Sequence, residues 1–166
     1  LVFTTLHANS ASSSLTRLLD MNVPGYKLSS TLRGVLAQRL LRKVCPSCSI
    51  EHAITAEENE LTGLRLGTIV RHAVELSAEE RQQQRLEGKL CPDCNGIGYK
   101  GRVGTYELLN INSSVADAIQ AKKSAEEIEQ LAVENGMITL RAYTVALISD
   151  QITTISELRK ISNMDN

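Results

Sequence analysis

Four cysteines stand in two Cys-Pro-x-Cys pairs, Cys45-Pro46-Ser47-Cys48 and Cys91-Pro92-Asp93-Cys94, and the chain has no others. Two thiolates two residues apart can aim at one ion, because the turn between them brings both sulfurs inward. Two such knuckles supply the tetrahedral sulfur shell that Zn2+ prefers, at about 2.3 Å per bond. A closed four-sulfur shell leaves no position for substrate, so the predicted ion is structural rather than catalytic. Zinc ribbons usually place about 15–20 residues between knuckles. Here the 42 residues 49–90 intervene, so the insertion must fold back and the ion would close a long loop. Disulfides, a redox pair or free thiols are the alternatives. Neighbours in a Cys-x-x-Cys pair seldom form structural bridges, nothing suggests export, and two pairs favour metal.

Asn95-Gly96-Ile97-Gly98-Tyr99-Lys100-Gly101 follows the second knuckle. Gly96, Gly98 and Gly101 have the spacing of a dinucleotide loop, but a knuckle precedes them and no helix follows. The Gly-Lys-Ser or Gly-Lys-Thr of a phosphate loop occurs nowhere in the chain. The glycines instead predict turns at positive φ that point backbone N–H groups toward the thiolates. Cys91-x-x-Cys94-x-Gly96-x-Gly98 is also similar to the cysteine-rich repeat of DnaJ-type chaperones, but Ser-Ile-Glu after Cys48 leaves only one full copy.

His7 follows residues 1–6, Leu-Val-Phe-Thr-Thr-Leu, an apolar, β-prone run that reads as a buried strand. Ligand-binding residues gather at the C-terminal ends of strands in α/β sheets. A neutral imidazole there can hydrogen-bond a phosphate or a carboxylate. Spacing alone leaves a capping or packing histidine as the alternative. His52 and His72 lie in the polar insertion and read as solvated.

The elements that must position these residues follow from capping and periodicity. Asn9 or Ser10 caps a helix to about Met21, with Leu15, Leu18 and Leu19 on one face. A turn at residues 22–25 leads to a second helix over 26–44, weakened by Gly34. Capping boxes Thr55-x-x-Glu58 and Ser77-x-x-Glu80 open two short helices inside the insertion, which is otherwise poor in core residues. Residues 102–111 read as a strand. Ser114, Ser124 and Thr154 then open helices, Gly136 ends the second of these, and residues 139–149 form another.

Hydrophobic residues make up 42% of the 166 residues but aromatics only 3%, so the core must be mostly aliphatic. A net charge of −1 gives no global electrostatic case for nucleic acid. No run approaches the roughly 18 apolar residues of a membrane helix, and no basic n-region followed by an apolar h-region predicts a secretory signal within these residues. Leu1 rather than Met opens the chain, which reads as a piece of a longer protein.

Three stretches together resemble the ATPases of type II secretion and type IV pilus assembly, in order and in approximate spacing. Thr5-Leu6-His7-Ala8-Asn9-Ser10 is similar to that family's histidine box. Val35-Leu36-Ala37-Gln38-Arg39-Leu40-Leu41-Arg42-Lys43-Val44-Cys45-Pro46 is similar to the segment entering its tetracysteine subdomain. Cys91 to Cys94, with Gly98-Tyr99-Lys100-Gly101-Arg102-Val103-Gly104-Thr105-Tyr106-Glu107-Leu108-Leu109, is similar to the segment leaving it. Pro24-Gly25-Tyr26 and Arg33-Gly34-Val35 resemble the mannose-sensitive haemagglutinin pilus branch.

The resemblance implies an α/β fragment of a RecA-like P-loop ATPase core over residues 1–44. A zinc-binding tetracysteine subdomain over 45–101 and a mainly α-helical C-terminal region over 102–166 would follow. It places His7 near the nucleotide γ-phosphate, and Cys45, Cys48, Cys91 and Cys94 on a structural Zn2+. Walker A, Walker B and the acidic box would lie before Leu1, so ATP and Mg2+ belong to the full-length parent and the fragment is expected to be inactive. That parent would be a cytoplasmic homo-hexamer working with an inner-membrane platform and cytoplasmic assembly proteins, without nucleic acid. The family box often has Thr where this chain has Ala8. Arg39, Arg42, Lys43, Lys100 and Arg102 form a basic cluster in sequence, facing either a partner or solvent. The rival from another class is a stand-alone zinc-ribbon module that binds protein or nucleic acid.

Overall fold

A computed structural model describes residues 1–162 as a mixed α/β chain with two compact units. The first unit takes in Leu1–Arg39 and Tyr106–Leu140; the second takes in Leu40–Thr105 and residues 141–162. Among the described residues, no helix is long and apolar enough to cross a membrane.

In the first unit, Ser10 caps α1 (Ala11–Asp20) through a capping box closed by Ser13 rather than by an acid. α2 (Gly25–Thr31) follows, and a proline precedes it where the first N–H groups of a helix have no intrahelical partner. Residues 34–39 and 106–110 of this unit belong to two long strands, β1 (Gly34–Val44) and β4 (Tyr99–Asn110), which pair as a two-stranded sheet. The Ile111 N–H reaches the Arg33 carbonyl at one end of the pair, and the Cys45 N–H reaches the Gly98 carbonyl at the other, so the strands run antiparallel. Asn112 caps α5 (Ser113–Gln120), its side chain accepting from the Val115 N–H at 3.0 Å. Ser124 and Glu127 box the start of α6 (Ala125–Glu134), and Gly136 follows its end at φ 92°. Ala11, Leu15, Leu28, Leu109, Val115, Ile119 and Ile128 form this unit's aliphatic core.

In the second unit, β2 (Ile50–Ala53) pairs antiparallel with β3 (Ile69–His72), Ile50 opposite His72 and Ala53 opposite Ile69. α3 (Ala56–Thr62) fills the connection between them, and α4 (Ala78–Leu86) follows β3; both begin with the expected capping boxes. Ile54 and Val70 from this insertion pack with Ile148 of α7 (Leu140–Ser149) and with Ile155 and Leu158 of α8 (Ile155–Ser162). A second cluster joins Leu41, Leu147 and Ile161.

The elements and their packing depart from the sequence reading in five places. Residues 1–6 form no strand; no described strand pairs with them, and Leu1, Val2 and Phe3 lie open to solvent. The helix expected over 26–44 stops at Thr31, and β1 replaces its remainder. Along β1, exposed Leu36, Gln38 and Leu40 alternate with more buried Ala37, Arg39 and Leu41, the period of two that a paired strand requires. The cap of α5 is Asn112, not Ser114. α8 begins where expected, but its predicted box is engaged elsewhere: Thr154 Oγ1 lies 3.1 Å from Tyr99 Oη, and Glu157 takes other partners. The insertion also supplies core residues that composition does not suggest.

Candidate metal centre and histidine cleft

The end of β1 and the start of β4 bring the two knuckles together. Cys45 ends the β1 run, and its N–H donates to the Gly98 carbonyl at 2.9 Å. The first knuckle turns on a Ser49 N–H to Cys45 carbonyl bond at 3.1 Å, the second on an Asn95 N–H to Cys91 carbonyl bond at 2.9 Å. Cys45 Sγ then lies 3.8 Å from Cys91 Sγ, and Cys48 Sγ lies 3.5 Å from Cys94 Sγ. All four sulfurs fall within 4.8 Å of one another. Four bonds of about 2.3 Å to one tetrahedral ion would set sulfurs about 3.8 Å apart. The donor set is therefore shaped for a single soft or borderline ion, with Cys45 and Cys94 buried and the other two half-buried.

The surroundings favour the thiolate at Cys94 and the neutral thiol at Cys48. Burial would push the Cys94 thiol up, but the Gly98 N–H, 3.3 Å from its sulfur, and the three neighbouring thiols bring it down to about 7. Cys48 moves the other way, raised by burial and by the same neighbours. Asp93 of the second knuckle accepts from Ser47 of the first and from Lys100. The Lys100 and Ser47 contacts hold the Asp93 carboxyl below the usual carboxylate range.

Gly98 is closely confined by neighbouring backbone. Its φ is 79°, and a Cβ there would lie 2.8 Å from the Val74 carbonyl oxygen. Its N–H and carbonyl serve one cysteine of each knuckle, as the turn chemistry of the sequence predicts.

The platform under the knuckles is built on Arg42. Its backbone N–H and its Nε donate to the two carboxylate oxygens of Glu157, each at 2.9 Å, and its Nη1 reaches Glu75 at 3.1 Å. The guanidinium lies 3.5 Å from the centre of the Tyr99 ring, a cation–π contact. The Arg42 carbonyl accepts from Thr153 Oγ1 at 2.8 Å. The Glu157 side chain is only 4% exposed. Burial would raise its carboxyl, but the Arg42 N–H, Lys160 and the Arg42 guanidinium together hold it below the ordinary carboxylate range.

In the first unit, His7 is exposed on the segment before α1. With Asn9, Ser13, Arg17, Asp20 and Arg39 it lines a cleft of about 580 Å3. Arg17 and Arg39 give that cleft cationic donors, and Asp20 gives it a carboxylate. The basic residues grouped in sequence serve separate ends: Arg39 bonds to the Ala8 and Asn9 carbonyls, Arg42 to Glu157 and Lys100 to Asp93, while Lys43 and Arg102 are exposed. His52 is half-buried, not solvated, with Nε2 at 3.0 Å from Glu58, and its ring meets exposed His72 edge-on. Sequence reasoning missed Arg17, Glu107 and Glu157. For Glu107 a signal existed: it alternates with Thr105 and Leu109 on the buried face of β4.

The family described as Type II/IV secretion system protein matches residues 1–160. The chain belongs to this family. Its relatives include the type IV pilus assembly ATPase PilB of Thermus thermophilus, 41% identical over 95% of this chain and 16% of that protein. Type II secretion system protein E of Dickeya dadantii is 36% identical over 98% of this chain and 29% of that protein. The type IV pilus assembly ATPase TfpB of Acinetobacter baylyi is 30% identical over 97% and 26%, respectively. The chain thus spans less than a third of the length of these relatives. Family membership over nearly the whole chain counts against the stand-alone zinc ribbon.

Two outcomes are expected from this geometry. Gly98→Ala, forced to keep a positive φ, should lose roughly 1–3 kcal/mol from backbone strain alone, measured by urea unfolding; a change within error would contradict the close approach to Val74. The stability difference between the native chain and Glu157→Gln should depend on pH in one direction. Because the folded carboxyl is depressed, its contribution is complete above the unfolded value of about 4.3. It should shrink as pH falls through the lower folded value. A difference that stays constant into that acid range would show that the Arg42 pairing does not stabilise the carboxylate.

Proposed function

We propose that the chain is the C-terminal portion of an ATP-hydrolysing motor that powers type II secretion or type IV pilus assembly. The observation that carries this reading is the cleft setting His7 beside Arg17 and Arg39, in a chain matched along its length to proteins named as pilus-assembly ATPases. In this reading residues 1–44 close a RecA-like core, 45–101 form the metal-binding subdomain, and 102–166 form the helical C-terminal region. The parent acts as a cytoplasmic homo-hexamer at an inner-membrane platform, alongside cytoplasmic assembly proteins.

His7 supplies a hydrogen bond to the terminal phosphate of the nucleotide, and the neighbouring arginines add positive potential to the same cleft. The lysine of the phosphate loop and the acids that hold Mg2+, which make phosphoryl transfer possible, lie on other parts of the parent. The 166 residues contain no Gly-x-x-x-x-Gly-Lys-Ser/Thr. Cys45, Cys48, Cys91 and Cys94 hold a structural Zn2+, which when bound fixes both ends of the 49–90 insertion. The four clustered sulfurs support that assignment, and the lack of an open ligand position assigns the ion no step in hydrolysis.

Elemental analysis of the purified chain should give about one zinc per chain, and Cys94→Ser should lose it together with thermal stability. Substoichiometric metal with no effect on folding would remove the zinc assignment. Colorimetric phosphate release from the chain with MgATP should stay at background. Clear turnover would overturn the view that the phosphate loop and acids are supplied from elsewhere in the parent.

A further inference from the structure

His7 sits on a segment without regular structure, yet the backbone beside it is gripped on both sides of Ser10. Arg39 Nη2 donates to the Ala8 carbonyl at 3.2 Å and to the Asn9 carbonyl at 3.1 Å. Glu107 Oε1 accepts from the Ala11 N–H at 2.8 Å, and its Oε2 accepts from the Leu140 N–H at 3.1 Å. Glu107 is 3% exposed, so this is a buried carboxylate whose two oxygens each take a backbone donor. Between the grips, Ser10 and Ser13 close the cap of α1. A cation thus holds two carbonyls, and an anion holds an N–H, within four consecutive residues. Charge-assisted bonds of this kind are roughly twice as strong as neutral ones. Immediately upstream, Leu1, Val2 and Phe3 are fully or nearly fully exposed.

We propose that Arg39 and Glu107 are positioning residues that fix the His7 segment against α1 and so set where the imidazole stands in its cleft. Arg39 acts from β1 and Glu107 from β4, the strands that pair in the sheet. Through its side-chain Nη2, Arg39 reaches the Ala8 and Asn9 carbonyls and, at 3.5 Å, the Asn9 side-chain oxygen. Its side chain lines the same cleft as His7. The functional value of this positioning rests on the phosphate reading of His7: a displacement of about 1 Å at a reacting group can cost on the order of 100-fold in rate.

The test is backbone 15N relaxation on the labelled 166-residue chain. In the native chain residues 7–10 should have order parameters near 0.85, as rigid backbone does, while residues 1–4 fall below about 0.6. Arg39→Met, which keeps the length of the stem but removes the donors, should drop residues 7–9 below about 0.6 and leave Val115 and Ile119 of α5 unchanged. Arg39→Lys, whose ammonium can donate to the same carbonyls, should restore part of the order. Glu107→Gln, which sets an NH2 group against a backbone N–H, should loosen residues 9–11. Residues 7–10 that stay rigid in both Arg39→Met and Glu107→Gln, or that are already as loose as 1–4 in the native chain, would overturn the proposal. Adding inorganic triphosphate separates it from the reading it rests on. Triphosphate should shift the His7 ring resonances of the native chain. If it leaves them unmoved while Arg39→Met still loosens the segment, the phosphate reading fails and the positioning stands.

Discussion

The clustering of the four cysteine sulfurs depends on where β1 stops and β4 starts. One backbone bond, from the Cys45 N–H to the Gly98 carbonyl, fixes that point. A slip of one residue there would turn every following side chain to the opposite face, and the two knuckles would no longer present their sulfurs to a common centre. The same residue pair explains why the glycine is necessary. Gly98 gives its carbonyl to one knuckle and its N–H to a sulfur of the other, at a φ that other residues adopt only with strain. Arg42, three residues before Cys45, secures the register from the other side by placing its own N–H and guanidinium on one buried carboxylate. The pairing satisfies both partners, which matters because a buried charge left alone costs far more than the pair gains.

Much of this was legible in the sequence, wherever the determinant is local. Capping boxes involve residues three apart, so the starts of α3, α4 and α6 were readable from Thr55, Ser77 and Ser124 alone. The cysteine pairs carry their chemistry in spacing, and the glycines after Cys94 carry their turn preference. α1 was readable because Ser10 precedes a run in which Leu15, Leu18 and Leu19 recur at helical spacing.

What failed was decided by partners distant in sequence. Val35-Leu36-Ala37-Gln38-Arg39-Leu40-Leu41 has apolar residues at both helical and strand spacings, and only the presence of β4 makes it a strand. The opening Leu-Val-Phe-Thr-Thr-Leu failed in the opposite sense: its composition is that of a strand, but no described strand pairs with it. The cap of α5 was misplaced by two residues because Asn112, Ser113 and Ser114 are all competent caps, and the choice among them is made by how the chain leaves β4. Arg39 was readable only as facing either a partner or solvent, and nothing near it or Glu107 in sequence points to the backbone groups they bond.

The insertion between the knuckles has a consequence for how the chain closes. Pairing β1 with β4 must close a loop of more than fifty residues (45–98), a non-local contact whose entropy cost precedes any gain. Within that loop the capping boxes of α3 and α4 need nothing from outside and β2 pairs with β3, although Ile54 and Val70 complete their burial on α7 and α8. With these elements in place, the insertion is a folded spacer, and the two cysteine pairs are separated by far less free chain than the residue count suggests.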